Sequence, residues 1–126
     1  MNHSHHVLVT EDNPDILHHI KKLIVDAGFS VTPFETGERA VEFASDASFD
    51  VVVADVNLPG MDGIESVTSI RRSKYTPVVF ISADPADRSR VARVGDGAFL
   101  EKPFSPFDLI TAIKSVLGFL PSAEFG

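Results

Sequence analysis

Glu11, Asp12, Asp55, Asn57, Ser82 and Lys102 each fall at or just after the end of a short apolar run. If those runs are parallel strands of one sheet, three carboxylates, a hydroxyl and an ammonium meet at one end of it. Three carboxylates repel one another, and a hard cation with oxygen ligands relieves that repulsion. Mg²⁺ suits a site with few protein carboxylates, several waters and phosphate oxygens. Ser82 and Lys102 add a hydrogen-bond donor and a compact positive charge, which is what a transferred phosphoryl group needs. Taken singly, Glu11 and Asp12 also read as caps of a first helix, Ser82 as a strand-end turn residue and Lys102 as a loop lysine. Asp55 is harder to read that way, because it follows Val51 to Ala54 in what should be a central strand, where an isolated charge is costly.

The elements that must position these residues follow from periodicity. Val7 to Val9 reads as a strand, and Ile16, Leu17, Ile20, Leu23, Ile24 and Ala27 form one helical face that ends at Gly28. Phe29 to Phe34 alternates and contains Pro33, which fits a strand at a sheet edge. Ala40, Phe43, Ala44 and Ala47 are helix-spaced, and Val51 to Ala54 is an apolar run suited to a strand buried on both faces. The turn from Leu58 to Gly63 leads to a helix stripe of Ile64, Val67 and Ile70, then a strand from Pro77 to Ile81. Asp84 to Val94 is a weak helix, with Asp84 as N-cap and Pro85 in the first turn. Ala98 to Leu100 is a short strand, and Leu109, Ile110, Ile113, Val116, Leu117 and Leu120 make an amphipathic last helix. Five strands alternating with five helices predict a parallel sheet covered on both faces. Ligands of such sheets bind beyond the carboxyl ends of the strands.

Composition narrows the classes. The chain has 126 residues, 44% of them apolar and 23% charged, which fits one globular domain, expected here over 7–120. Residues 1–6, with His3, His5 and His6, are expected to be disordered and not a metal tract, and 121–126 to be a tail. The lack of cysteine excludes a disulfide framework, a cysteine-ligated zinc site and thiol chemistry. A net charge of −7 argues against a direct nucleic-acid partner. No apolar run approaches the roughly 20 residues of a membrane span, and the first residues lack the pattern of a secretory signal, so no membrane contact and a cytoplasmic location are expected.

Glu11-Asp12-Asn13, the loop Asp55-Val56-Asn57-Leu58-Pro59-Gly60-Met61-Asp62-Gly63, Ser82-Ala83 and Glu101-Lys102-Pro103-Phe104 resemble the receiver domain of two-component response regulators, and the resemblance spans about Val7 to Leu120. It implies a flavodoxin-like sheet in the order 2-1-3-4-5 and a signalling switch, not a conventional enzyme, that catalyses its own phosphorylation and dephosphorylation. Asp55 would accept a phosphoryl group from a sensor histidine kinase or a histidine phosphotransfer protein. Asp12 would bind Mg²⁺ directly and Glu11 mainly through water, with Asp55 and the Asn57 carbonyl completing the protein ligands. Ser82 and Lys102 would hold the phosphoryl group, Ser82 and Phe99 would form the switch, and Asn57 and Asp84 would flank the water that ends the signal. The peptide bond before Pro103 is expected to be cis.

Phe99 stands at an aromatic position and lacks the hydroxyl of a tyrosine, so only packing is expected to hold its ring. The segment between Ser82 and Lys102 is a couple of residues shorter than is typical of the family. Arg88, Arg90 and Arg93 are expected to form a solvated basic face on a weak fourth helix. His18, His19 and Lys22 lie off the apolar stripe of the first helix, on the surface the family usually offers to kinases. A downstream protein partner is expected on the face of the fourth helix, fifth strand and fifth helix, and the resemblance also admits a homodimer. Three other readings compete. A haloacid-dehalogenase-type phosphohydrolase needs a second Asp where Asn57 stands and a cap domain this length has no room for. A flavodoxin fits poorly with an acidic site where a flavin phosphate would lie. A degenerate docking receiver normally lacks the Asp or the Lys, and both are here. After Leu120 only six residues remain, consistent with a stand-alone receiver or one taken from a longer regulator.

Overall fold

Residues 5–119 are described by a computed structural model of the chain. The order of elements is β1 (His6–Thr10), α1 (Pro14–Asp26), β2 (Ser30–Phe34), α2 (Gly37–Ala44), β3 (Val51–Asp55), α3 (Gly63–Ser73), β4 (Val78–Ser82), α4 (Asp87–Ala92), β5 (Ala98–Glu101) and α5 (Pro106–Val116). The strands form one parallel sheet in the order β2-β1-β3-β4-β5. This is the predicted flavodoxin-like arrangement. Pro33 is accommodated because β2 is an edge strand.

Side chains alternate across each strand, so the sheet feeds two cores. Val7, Val9, Val51, Val53, Val79 and Ile81 pack with Leu17, Ile20 and Ile24 of α1 and with Leu109 and Ile113 of α5. Leu8, Val52, Ala54, Val78 and Phe80 pack on the other face with Val67 and Ile70 of α3 and Val91 of α4. Both cores cross β3 and β4, every residue of which is buried. Full burial of each such side chain contributes about 1.5 to 3 kcal/mol, so the centre of the sheet is its best-fixed part.

Several boundaries differ from the sequence expectations. His6 is not in a disordered terminus: it opens β1, its backbone N–H donates to Asp50, and its ring nitrogens lie 3.0 and 2.6 Å from the hydroxyls of Ser30 and Thr32. On α1 the stripe is narrower than predicted, for Ile16 and Ala27 are exposed. The α2 helix stops at Ala44, before Ala47. The α4 helix is only six residues long, and its N-cap is Ala86, not Asp84. The Asp84 side chain instead accepts from the Ala86 N–H at 2.9 Å, in the turn that precedes the helix. His3, Leu120 and the expected tail lie outside the described residues. Among the described residues, no helix is long and apolar enough to cross a membrane.

Candidate active site

The sheet order reverses between β1 and β3, and the predicted residues gather beyond that crevice. Each acid is delivered by a buried strand. Glu11 and Asp12 follow β1, where Val7 to Thr10 are buried, and the turn behind them is closed by Asn13, whose side chain accepts from the N–H groups of Asp15 and Ile16 at the start of α1. Thus Asn13 caps the helix, leaving Glu11 and Asp12 for other use. Asp55 is the last residue of β3 and only 4% exposed, and Glu11 is 1% exposed. Carboxylate oxygens of Glu11, Asp12 and Asp55 lie within 4.8 Å of one another.

Lys102 reaches this cluster from the end of β5. Its Nζ donates to Glu11 Oε1 and to Asp55 Oδ2, both at 2.6 Å. The other Asp55 oxygen accepts from the Asn57 N–H at 2.8 Å. Burial pushes the Glu11 carboxyl up to about 7; the Lys102 hydrogen bond opposes that shift, and the neighbouring Asp55 adds to it. The two carboxylates in turn raise the Lys102 ammonium, against the effect of its burial. Its charge is therefore held in place at neutral pH. The Lys102–Pro103 peptide bond is cis, as expected. Three carboxyl groups outnumber the one ammonium, and the possible metal ligands they offer are all carboxylate oxygens. That set fits Mg²⁺ by its chemistry.

The loop from β3 to α3 is held close by two features. A side-chain carbon on Gly63 would lie 2.1 Å from the Asp55 carbonyl oxygen, so only glycine lets α3 start this close to the acid. Glu38 of α2 accepts from the Met61 N–H at 3.1 Å and so ties down the loop from outside. Asp62 and Glu65 then form a reciprocal capping box at the start of α3.

Ser82 is fully buried at the end of β4. It is joined by a residue the sequence reasoning missed. Asp87, 5% exposed, accepts from Ser82 Oγ and from Asn57 Nδ2, each at 2.7 Å, and from Arg90 at 3.1 Å. Although burial opposes it, these three hydrogen bonds hold the Asp87 carboxyl below the usual aspartate range. Arg90 also pairs with Asp62 at 3.0 Å. Phe99 sits in β5 with the Arg88 guanidinium 4.7 Å above its ring, so packing is not its sole restraint. The three arginines expected on a solvated face are exposed, and two of them also make contacts within the chain, Arg88 with Phe99 and Arg90 with Asp87 and Asp62. Asp84 is exposed beside Ser82. No signal in the sequence distinguished Glu38, while Asp87 and Arg90 had only their helical i, i+3 spacing.

Next to Lys102, between α1 and the β5–α5 loop, is a cavity of about 440 Å³ lined by Ile16, His19, Ile20, Ala83, Pro103 and Phe104. Phe107 is exposed nearby in sequence, in the first turn of α5.

Residues 7–114 match the family model described as the response regulator receiver domain. The chain is 36% identical to the transcriptional activator protein PfeR of Pseudomonas aeruginosa, over 93% of this chain and 41% of that one. It spans about half the length of the curated relatives it matches. Among solved structures it resembles the chemotaxis protein CheY4 of Vibrio cholerae, with a TM-score of 0.83 and 31% identity over 90% of this chain and 99% of that one. It also resembles the receiver domain of a sensor histidine kinase from Pseudomonas aeruginosa that holds a magnesium ion in its active-site cleft, with a TM-score of 0.84 and 26% identity over 92% of this chain and 99% of that one. By its sheet order, its acidic crevice and the family match over most of its length, this chain belongs to the receiver-domain family of two-component response regulators.

Proposed function

We propose that Asp55 accepts a phosphoryl group from the phosphohistidine of a partner kinase or phosphotransfer protein. A carboxylate oxygen of Asp55 attacks phosphorus, the phosphorus–nitrogen bond breaks, the imidazole leaves, and an aspartyl phosphate forms. The observation that carries this reading is the pairing of Asp55 Oδ2 with Lys102 Nζ at 2.6 Å beside Glu11 and Asp12. Lys102 is poised to move its charge from the carboxylate to the phosphoryl oxygens. Glu11, Asp12, Asp55 and the Asn57 carbonyl would hold Mg²⁺, which neutralises phosphoryl charge when bound. Ser82 supplies a hydroxyl to the same oxygens, and Phe99 turns in response. Exposed Asp84, with Asn57, orients the water that returns Asp55 to its free form.

The apolar cavity beside Lys102 and the exposed His18, His19 and Lys22 suit a docking helix of the phosphodonor. The α4, β5 and α5 face suits the downstream partner. In a cell the protein then works as a phosphorylation-dependent relay in the cytoplasm. Intact mass with Mg²⁺ and a small phosphodonor tests the central step. A gain of one phosphoryl group is expected in the wild type and none in Asp55→Asn. A gain that persists in Asp55→Asn, or in excess chelator, would overturn it.

A further inference from the structure

Ser82 has one hydroxyl hydrogen and two lone pairs, and all three are committed. The oxygen accepts from the Asp84 N–H at 3.0 Å and from Asn57 Nδ2 at 3.2 Å. The hydrogen has two acceptors in range. The Asp84 carbonyl is 3.3 Å away and neutral, whereas Asp87 Oδ2 is 2.7 Å away and ionised, so the hydrogen belongs to Asp87. Asn57 is equally committed, one amide hydrogen to Ser82 and the other to Asp87.

We propose that Asp87 is a resident competitor for the Ser82 hydroxyl, holding the one hydrogen that a phosphoryl group on Asp55 needs and thereby setting how tightly the site takes that group. This rests on the assignment of Asp55 as phosphoacceptor. Asp87 touches Ser82 and Asn57, not Asp55, and is therefore a positioning residue. It is anchored from its far side, because Arg90 binds its other oxygen and runs on to Asp62 at the N-terminus of α3. Transfer of the hydroxyl leaves this buried carboxylate one hydrogen bond short. The loss falls on α4, where Val91 is the other buried residue. Occupancy of Asp55 is in this way exchanged against the hold on α4, through a single proton.

The test is the affinity for beryllofluoride, a phosphoryl analogue, in the presence of Mg²⁺, measured by calorimetry. Asp87→Ala should bind it about tenfold more tightly, the scale of one charge-assisted hydrogen bond no longer displaced. Asp87→Asn keeps the shape and offers a neutral acceptor, so a smaller gain is expected, and this variant decides should the alanine form not fold. Both gains should vanish in a Ser82→Ala background, because the two residues act through one bond. Unchanged or weaker binding in the folded Asp87 variants overturns the proposal, as does a gain that survives Ser82→Ala, which would mark simple charge repulsion. Failure of the wild type to take up beryllofluoride or a phosphoryl group would instead defeat the assignment of Asp55.

Discussion

β3 and β5 both end in the active-site crevice, yet all five residues of β3 are buried and none of the four in β5 is. β3 is flanked by strands on both sides and covered by both cores. β5 is an edge strand paired with β4 alone and only partly buried, and the six-residue α4 beside it relies on Val91 and on individual contacts: Asp87 to Ser82, Arg90 to Asp62, Arg88 over Phe99. Asp55, the proposed phosphoacceptor, stands on the part of the sheet that cannot shift without loss of the core. Phe99 and α4, proposed to respond to phosphorylation, stand where each restraint is worth about 1 kcal/mol. Lys102 joins the two regions, since it leaves the end of β5 and ends among the carboxylates of β1 and β3.

The largest effect should come from cutting that join. Lys102→Met leaves Glu11 and Asp55, both buried, without their shared cation. Labelling by a small phosphodonor should fall about a hundredfold or more. In Mg²⁺-free buffer near neutral pH, urea titration should show a loss of about 3 kcal/mol, the scale of stranding one side of a buried ion pair, with part recovered when Mg²⁺ is added. Stability equal to wild type without Mg²⁺ would mean that the carboxylates are solvated well enough to tolerate one another.

Two glycines sharpen the contrast. Gly63→Ala drives a methyl group into the Asp55 carbonyl, so a loss of about 2 kcal/mol or more and impaired labelling are expected. Gly95 follows α4 with a φ of 99° and open space around it, so Gly95→Ala should cost only the backbone strain, about 1 kcal/mol, and leave labelling intact. Denaturation midpoints and intact mass measure both. Equal effects at the two sites would remove the distinction between a rigid acid end and a tolerant edge.

The rigid end is the legible one. Apolar runs such as Val51 to Ala54 declare a buried strand, the residue after each run is fixed by topology, and so Glu11, Asp12, Asp55, Ser82 and Lys102 can be read from the amino-acid order alone. Helix ends are less legible, because capping decides them locally: Asn13 caps α1, while Asp84 yields the N-cap of α4 to Ala86. The edge is hardest to read. Whether Asp87 faces water or Ser82, and whether Arg88 is solvated or stacked on Phe99, depends on how α4 sits on the sheet, and no periodicity encodes that in six residues.

Val53 and Val91 compare the regions by the same chemical change. Val53→Ala opens a cavity at the sheet centre and should cost about 2 kcal/mol in global stability. Val91→Ala removes the one buried apolar side chain of α4, so its cost should appear first as faster hydrogen exchange across α4, with α5 still protected. In the wild type, α4 should already exchange faster than α5 and change on phosphorylation. Equal protection of the two helices in both states would make α4 a rigid element and move the output surface elsewhere.

The smallest effect concerns Arg88. Its guanidinium lies over the Phe99 ring at an exposed site, where such a contact is worth about 0.5 to 1 kcal/mol. Loss of that amount changes a two-state ring population by only about threefold, so it leaves the fold and the acid cluster untouched. Arg88→Ala should broaden or shift the Phe99 ring signals in NMR spectra of phenylalanine-labelled protein, while the labelling of Asp55 stays at the wild-type rate. Arg88→Lys should retain part of the effect, because an ammonium keeps the charge but not the flat stacking surface. Ring signals identical in all three proteins would show that Phe99 is held by its packing against the core alone. A changed labelling rate would be more instructive, since it would mean that the edge acts back on the acid through Ser82.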